Sequence, residues 1–178
     1  DPASLPATRL PLCRGFMILS ILRWPDPVLT APCAPATLSD DLARLAADML
    51  ETMYAAPGRG LAAPQVGRLL RLFVMDAGWP DGRPDPRVLV NPRILWRGPL
   101  RATGPEGCLS IPGPTVLVER ATELRLGWTT LDGRAEQETF TGFAAICAQH
   151  EYDHLDGILT LDRLSPEARA AALAQVTA

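Results

Sequence analysis

Residues 148–157, AQHEYDHLDG, contain two histidines four positions apart, with a glutamate directly after the first. If this stretch is helical, His150 and His154 lie on one face and can occupy two positions of a tetrahedral metal site. They are the only histidines in the chain. Two core histidines with backbone partners are the alternative, but the glutamate between them and the lack of any other histidine favour metal ligands. The pattern therefore predicts a metal centre.

The third metal ligand has to come from elsewhere, because a catalytic site uses about three protein ligands and keeps one position open. The downstream acids Asp156 and Asp162 lie on or just past the same helix, and upstream acids stay open as ligands at this point. Cys108, in EGCLS at 106–110, is the better candidate, since a thiolate binds late divalent metals strongly. Gly107 beside it allows a close backbone approach. We expect this motif to form a loop.

The other cysteines are interpreted as structural. Cys147 is expected to pack as a small hydrophobic residue on the helix, and Cys13 and Cys33 lie in Pro-rich segments. The cysteines form no CxxC pair, and a chain of 178 residues does not need disulfides to stay folded. This pattern of cysteines favours a reducing, cytosolic compartment.

Composition narrows the class of protein further. A chain of 178 residues with 47% hydrophobic residues can bury the core of one domain. A formal net charge of -3 without a dense Lys/Arg run argues against nucleic acid or an anionic membrane as the main partner. No apolar run approaches the roughly 20 residues that a membrane-spanning helix needs.

The first residues differ from the rest of the chain. Residues 1–16, DPASLPATRLPLCRGF, are rich in Pro and Ala and precede Met17. We expect them to be a disordered extension or an added tail, and residues 17–178 to form a single catalytic domain. A transit peptide is the alternative, although so short and Pro-broken a segment makes a weak amphipathic helix. Residues 17–29 are expected to form an extended arm or short strand over the core.

The middle of the chain combines one helix with several strands. Apolar residues recur at helical spacing after Ser39, a suitable N-cap, which predicts a first helix at about 40–56. Asp132 and Gly133 mark a hairpin turn, which favours antiparallel pairing. Short apolar runs between Gly and Pro turns predict strands at 69–76, 87–96, 115–118 and 122–130.

The end of the chain is predicted to be helical. A last helix should begin after the N-cap Ser165, with Pro166 at its first position, and run to the end of the chain. The metal-binding helix should begin after Gly142, because one apolar face is formed by Phe143, Ile146, Cys147, His150, Glu151 and His154. We therefore predict an α+β fold in which antiparallel sheets pack around a central helix carrying HExxH, flanked by an N-terminal and a C-terminal helix.

Three motifs together resemble the peptide deformylases of bacteria. They are GRGLAAPQ at 58–65, EGCLS at 106–110 and QHEYDH at 149–154, in the family's order and at family-like spacing. Three separate motifs are far more specific than HExxH alone. The resemblance covers nearly all of residues 17–165, including ILRWPDPVL at 21–29, Asn91-Pro92 and DGILTLDRLS at 156–165.

The resemblance implies a mononuclear metal site. Cys108, His150 and His154 would hold one divalent metal ion per chain. In the family this ion is commonly Fe(II), and zinc, nickel or cobalt can occupy the site in purified protein. A Cys/His/His set suits several of these metals, so the sequence leaves the choice open.

The resemblance also implies which residues are catalytic. Glu151 would take a proton from the attacking water and later give one to the leaving amine. The side-chain amide of Gln65 and the backbone N–H of Leu109 would stabilise the oxyanion that forms on the formyl group.

The pocket for the substrate side chain departs from the family. Arg59 and Gly104 stand at positions that are usually apolar in deformylases. Two roles for Arg59 stay open: it covers the pocket with its methylenes, or its guanidinium reaches an acidic group and alters the substrate. The residues predicted to bind substrate are Arg59, Gly60, Gly107, Phe143, Ile146 and Cys147.

The predicted function is a metal-dependent hydrolase that removes the formyl group from the N-terminal formyl-methionine of newly made proteins. The alternatives are a homologue with an altered substrate or little deformylase activity and, less favoured, a metallopeptidase. Expected partners are N-formyl-methionyl peptides or nascent chains, near the ribosome. We expect no nucleic-acid or membrane binding, and a monomer in the bacterial cytoplasm, or in an organelle if residues 1–16 are a leader.

Overall fold

The computed structural model describes residues 15–177, so the prediction for residues 1–16 lies outside the described residues except at its last two positions. The described chain forms an α+β fold, as predicted. Its helices are α1 (Asp40–Ala55), α2 (Gly142–Leu155) and α3 (Pro166–Leu173). Its strands are β1 (Gly60–Ala62), β2 (Leu72–Met75), β3 (Arg87–Arg97), β4 (Arg101–Cys108), β5 (Ile111–Ala121), β6 (Glu123–Thr129) and β7 (Ala135–Thr141).

Two antiparallel sheets surround α2. The larger sheet has the order β1-β2-β3-β6-β7, and β4 pairs with β5 in a separate two-stranded sheet. The predicted hairpin joins β6 to β7, where Gly133 has a φ of 87° that suits glycine. Within residues 15–177, β1 pairs only with β2 and is an edge strand, and its first residue, Gly60, lines a cavity together with residues of α2 and β4.

The central helix is buried on nearly all sides. Its buried residues include Ala145, Ala148, His150, Asp153 and Leu155, which do not share one helix face. We predicted a single apolar face, and this was wrong, because both sheets pack against the helix. Phe143 was assigned to that face, but its side chain is 45% exposed at the first turn.

Local sequence signals place the helix ends. The Ser39 hydroxyl accepts a hydrogen bond from Leu42 N at 3.0 Å, and the Ser165 hydroxyl accepts one from Ala168 N at 3.2 Å. Helix α3 ends at Leu173, earlier than predicted. The chain leaves the helix because Thr177 N donates to Pro112 O of β5 at 2.9 Å.

The strand predictions need three corrections. Strands β1 and β4 were not predicted, and β7 was implied only as the partner of β6 in the predicted hairpin. Strand β2 is shorter than 69–76, and β5 is longer than 115–118. The glycines and prolines of β4 and the start of β5 hid these strands, since both residue types are rare in strands. EGCLS is therefore not simply a loop: Glu106, Gly107 and Cys108 end β4, and a turn follows.

Within residues 15–177, no helix is long and apolar enough to span a membrane.

Candidate active site

Three potential metal ligands converge between β4 and α2. The Cys108 Sγ atom and one ring nitrogen from each of His150 and His154 all lie within 4.8 Å of one another. The Cys108 Sγ atom is 3.5 Å from His154 Nε2. This spacing suits one ion that takes a thiolate and two imidazoles as ligands. The two histidines lie on successive turns of α2, and Cys108 is the last residue of β4 in the two-stranded sheet.

A buried carboxylate orients the first histidine. His150 Nδ1 lies 3.0 Å from Glu106 Oε1. A carboxylate can only accept a hydrogen bond, so the contact places the proton on Nδ1 and leaves the Nε2 lone pair free for a metal. Glu106 was not among the predicted site residues. Its position in EGCLS was visible, but its contact with His150 depends on how β4 packs against α2.

Glu106 belongs to a buried ionic network. Arg120 Nε and Nη2 donate to Glu106 Oε2 and Oε1, each at 2.9 Å, and Arg120 Nη1 donates to Asp153 Oδ2 at 2.6 Å. Arg163 donates to both oxygens of Asp153, at 2.7 and 3.1 Å. Burial alone would raise the pKa of Glu106, but the hydrogen bonds from His150 and Arg120 hold that pKa below its ordinary value. The network fixes a charged carboxylate behind the metal ligands.

The two histidines have different proton affinities. Burial and the nearby cations His150 and Arg120 hold the pKa of His154 well below its ordinary value, so its ring is neutral and can act as a ligand. Burial also disfavours the charged form of His150, but without a metal ion its neighbours Cys108 and Glu106 outweigh burial and raise its pKa well above the usual range. A bound metal ion would displace the proton from His150 Nε2, while Nδ1 keeps its hydrogen bond to Glu106.

Glu151 is a buried carboxyl group beside the potential metal ligands. It is 3% exposed, and its Oε1 atom lies 3.9 Å from His150 Nε2. Burial is the largest factor that raises its pKa, to about 7. Two buried side-chain polar atoms in residues 15–177, Glu151 Oε2 and His154 Nδ1, have no hydrogen-bond partner in the protein. The free carboxyl oxygen beside the Cys108 sulfur and the imidazoles fits a site for a metal and a reacting water.

The amide of Gln65 also points into the site. Gln65 is 1% exposed, so it is not a surface glutamine. Its Oε1 accepts a hydrogen bond from Ala62 N at 2.9 Å, which turns Nε2 towards Ser110 Oγ at 3.0 Å and Cys108 Sγ at 3.7 Å. This amide is therefore a fixed hydrogen-bond donor next to the ligand set.

The glycines of the first motif allow close packing. A Cβ atom at Gly60 would lie 2.6 Å from Glu151 Oε1 and 2.8 Å from its Cγ, and one at Gly58 would lie 2.7 Å from Leu109 Cδ1. Only glycine lets β1 approach α2 this closely. A Cβ at Gly107 would meet no atom within 4 Å. We predicted that Gly107 allows a close backbone approach, but within residues 15–177 no other segment packs closely against it.

Gly60→Ala should lower kcat for hydrolysis at this site about tenfold or more, because the new methyl group displaces the Glu151 carboxylate by a good fraction of an ångström. Steady-state kinetics of the metal-loaded variant would measure the loss. Gly58→Ala is the matched control, since its methyl meets the flexible tip of Leu109, and it should lose less. Equal kcat values for Gly60→Ala and the unmodified protein would contradict this role.

One cavity joins the predicted residues. Its volume is about 430 Å³, and every predicted site residue except His154 lines it. His154 is 1% exposed and lies behind the other ligands. On the wall of the cavity, the Arg59 guanidinium stacks over the Phe143 ring, with Cζ 4.4 Å from the ring centroid. Cys147 is 7% exposed, as expected of a packed cysteine.

Comparison with known proteins identifies the family. A family model described as polypeptide deformylase matches residues 18–170. A peptide deformylase from Alkalilimnicola ehrlichii is 52% identical over 149 residues, which cover 83% of this chain and 83% of that protein. A peptide deformylase-like protein from Bradyrhizobium diazoefficiens is 42% identical over 149 residues, which cover 83% of this chain and 86% of that protein. The crystal structure of a peptide deformylase from Synechococcus elongatus in complex with actinonin superposes with a TM-score of 0.84 at 38% identity, covering 88% of this chain and 86% of that chain. These matches, together with the Cys/His/His geometry, show that the chain belongs to the peptide deformylase family of metal-dependent hydrolases.

Proposed function

We propose that this protein removes the formyl group from the N-terminal formyl-methionine of newly made proteins. The observation that carries the proposal is the convergence of Cys108, His150 and His154 beside the buried carboxylate of Glu151, in a cavity that opens to solvent. The family membership supports the same activity.

The ligand set is Cys108, His150 and His154, with one divalent ion per chain. When bound in such a site, a divalent metal lowers the pKa of water towards about 7 and polarises a carbonyl oxygen. Fe(II) is the proposed metal in the cell, and zinc, nickel or cobalt would fit the same donors in the purified protein. Glu106 supports this assignment, because its hydrogen bond leaves His150 Nε2 available.

Glu151 is the proposed general acid and base. It would accept a proton from the water that attacks the formyl carbon and return a proton to the departing peptide amine. A raised pKa suits both roles, since the group can hold and release a proton near neutral pH. The free Oε2 atom supports this role, because no protein donor competes for it within residues 15–177.

Gln65 Nε2 and the backbone N–H of Leu109 are the proposed donors to the oxyanion. As the formyl carbon becomes tetrahedral, negative charge builds on its oxygen. A rigid donor aimed at that charge is worth about 3 kcal/mol of transition-state stabilisation. The bond that Gln65 Oε1 accepts from Ala62 N supports the assignment, since it holds the amide in one orientation.

The remaining residues of the cavity would bind the peptide. The free edge of β1 at Gly60 can pair with an extended peptide through backbone hydrogen bonds. The side chain of the first peptide residue would contact Gly107, Phe143, Ile146 and Cys147. The proposed partners are formylated nascent chains near the ribosome, with the protein acting as a monomer in the bacterial cytoplasm.

A deformylase-like protein with little activity on formyl-methionine is the second candidate. Arg59 favours it, because a cation on the wall of the cavity is unexpected beside a methionine side chain. Relatives of this chain include proteins called peptide deformylase and proteins called peptide deformylase-like. Proteins of both names therefore match more than four fifths of this chain.

Formate release decides between these functions. The protein is loaded anaerobically with Fe(II) or Ni(II) and assayed with a formyl-Met tripeptide, and a chelator-treated sample serves as the control. Formate production that depends on metal would support the deformylase. No release above the chelated sample would favour the second candidate. Cleavage between residues within the peptide would instead indicate a metallopeptidase.

A further inference from the structure

The backbone of Arg59 is held firmly at the rim of the cavity. Arg59 O accepts a hydrogen bond from Asp76 N at 2.9 Å and a second contact from Cys147 Sγ at 3.4 Å. Just before it, Gly58 O accepts a hydrogen bond from Trp79 Nε1 at 2.9 Å. The point from which the Arg59 side chain leaves the backbone is therefore defined by the fold, although Arg59 lies between two glycines.

The charge of Arg59 has no acidic partner within residues 15–177. The guanidinium stacks on Phe143, and its single hydrogen bond is a long one of 3.4 Å to Ala77 O. Other arginines near the core behave differently: Arg120 contacts two buried carboxylates. An arginine carries five N–H donors in a planar fork that matches a carboxylate. Most of these donors remain available to a ligand in the cavity.

The neighbouring surface combines this cation with apolar groups. Ile146 and Cys147 line the same cavity as Arg59, and the Phe143 ring supports the guanidinium from one side. The cavity has a volume of about 430 Å³, and Gly104 lies outside its lining, directly before the lining residue Pro105. The site thus has room for a side chain with an apolar stem and an anionic end.

We infer that Arg59 is a specificity-determining residue that favours N-formyl peptides with a carboxylate side chain at one of their first two positions. The inference rests on the removal of formyl groups in the proposed function, because a formyl group held at the metal ligands puts the start of the peptide beside Arg59. A carboxylate at the second position keeps formyl-methionine as the first residue, whereas a carboxylate at the first position replaces it. The first side chain would reach the cavity wall, and the second would lie at its rim. At either position, the side chain would present a carboxylate to the Arg59 guanidinium.

The test isolates charge from size. Four peptides are compared: formyl-Glu-Ala-Ala with formyl-Gln-Ala-Ala, and formyl-Met-Glu-Ala with formyl-Met-Gln-Ala. In the metal-loaded protein, we expect kcat/KM to be about fivefold higher for Glu than for Gln at one of these positions, as expected for an ion pair that solvent can reach. The ratio should fall as salt is added, because salt screens exposed charges.

Two variants show whether Arg59 is the cause. Arg59→Met keeps a long side chain without charge, and its Glu-to-Gln ratio should fall close to one. Arg68→Met is the matched control, because Arg68 is exposed and outside the cavity but contributes the same charge. It should keep the ratio of the unmodified protein. A ratio near one at both positions in the unmodified protein, or an unchanged ratio in Arg59→Met, would overturn the inference.

A binding measurement separates this inference from the proposed function. If the metal-loaded protein releases no formate from any peptide, the proposed function fails and the peptides stay intact. Titration calorimetry with the same four peptides then reports affinity directly. Tighter binding of a Glu peptide that is lost in Arg59→Met would uphold the inference, whereas equal binding, or none, would overturn it.

Discussion

Replacing Glu151 by glutamine should lower kcat for formate release from a formyl-Met tripeptide about a thousandfold, within the range expected for removing a general acid and base. Glutamine has nearly the same size, but its amide can neither take a proton from water nor return one to the amine. Because Glu151 is not one of the proposed metal ligands, the variant should still bind one metal ion per chain.

Kinetics and metal analysis of the same preparation would measure both effects. Glu123→Gln is the matched control, since Glu123 is exposed on β6 and should leave kcat and metal content unchanged. If Glu151→Gln kept more than about a tenth of the activity, the proton-transfer role would be wrong, because removal of such a group typically costs at least about a hundredfold. Loss of the metal together with activity would instead place Glu151 in the ligand set.

Arg120→Met should lower the free energy of unfolding by about 3 kcal/mol or more, because breaking a buried ion pair leaves an uncompensated charge. Arg120 is 5% exposed and is the shared partner of Glu106 and Asp153. Asp153 would keep Arg163, whereas Glu106 would keep only His150. Most of the expected loss of unfolding free energy therefore comes from the buried Glu106 carboxylate.

Denaturant unfolding of the metal-free protein would measure this loss. Arg101→Met is the matched control, because Arg101 pairs with Glu119 on the exposed side of the same two-stranded sheet. This variant should lose less than about 1 kcal/mol of unfolding free energy.

The pH dependence gives a second check. The folded-state pKa of Glu106 lies below its ordinary value, so the stabilisation from Glu106 is present at pH values above the ordinary pKa and is lost as the pH falls. The difference between Arg120→Met and the unmodified protein should therefore shrink in acid. Equal losses of unfolding free energy in Arg120→Met and Arg101→Met would contradict a stabilising role for the buried ionic network.

Local patterns account for what could be predicted from the sequence. The spacing of His150 and His154 encodes their shared helix face, and Ser39 caps α1 through a contact only three residues along the chain. Such signals act over one or two helical turns, so a single sequence carries them. The resemblance of three motifs then linked Cys108 to the histidines.

Contacts between distant segments could not be predicted. Glu106 meets His150 only because β4 pairs with β5 and both pack on α2, and no local pattern encodes that approach. Gly60 was predicted to bind substrate, but the contact that requires glycine is with Glu151 on another element. In β4, Pro105 and its neighbouring glycines conceal a strand that pairing with β5 stabilises.

A metal titration tests the central claim most directly. Metal-free protein is titrated anaerobically with Ni(II), and formate release from a formyl-Met tripeptide is recorded after each addition. We expect activity to rise in proportion to added metal and to stop rising at one ion per chain, as a single Cys108, His150 and His154 site requires. Activity that is already complete without metal, or that never appears at any metal content, would contradict the account.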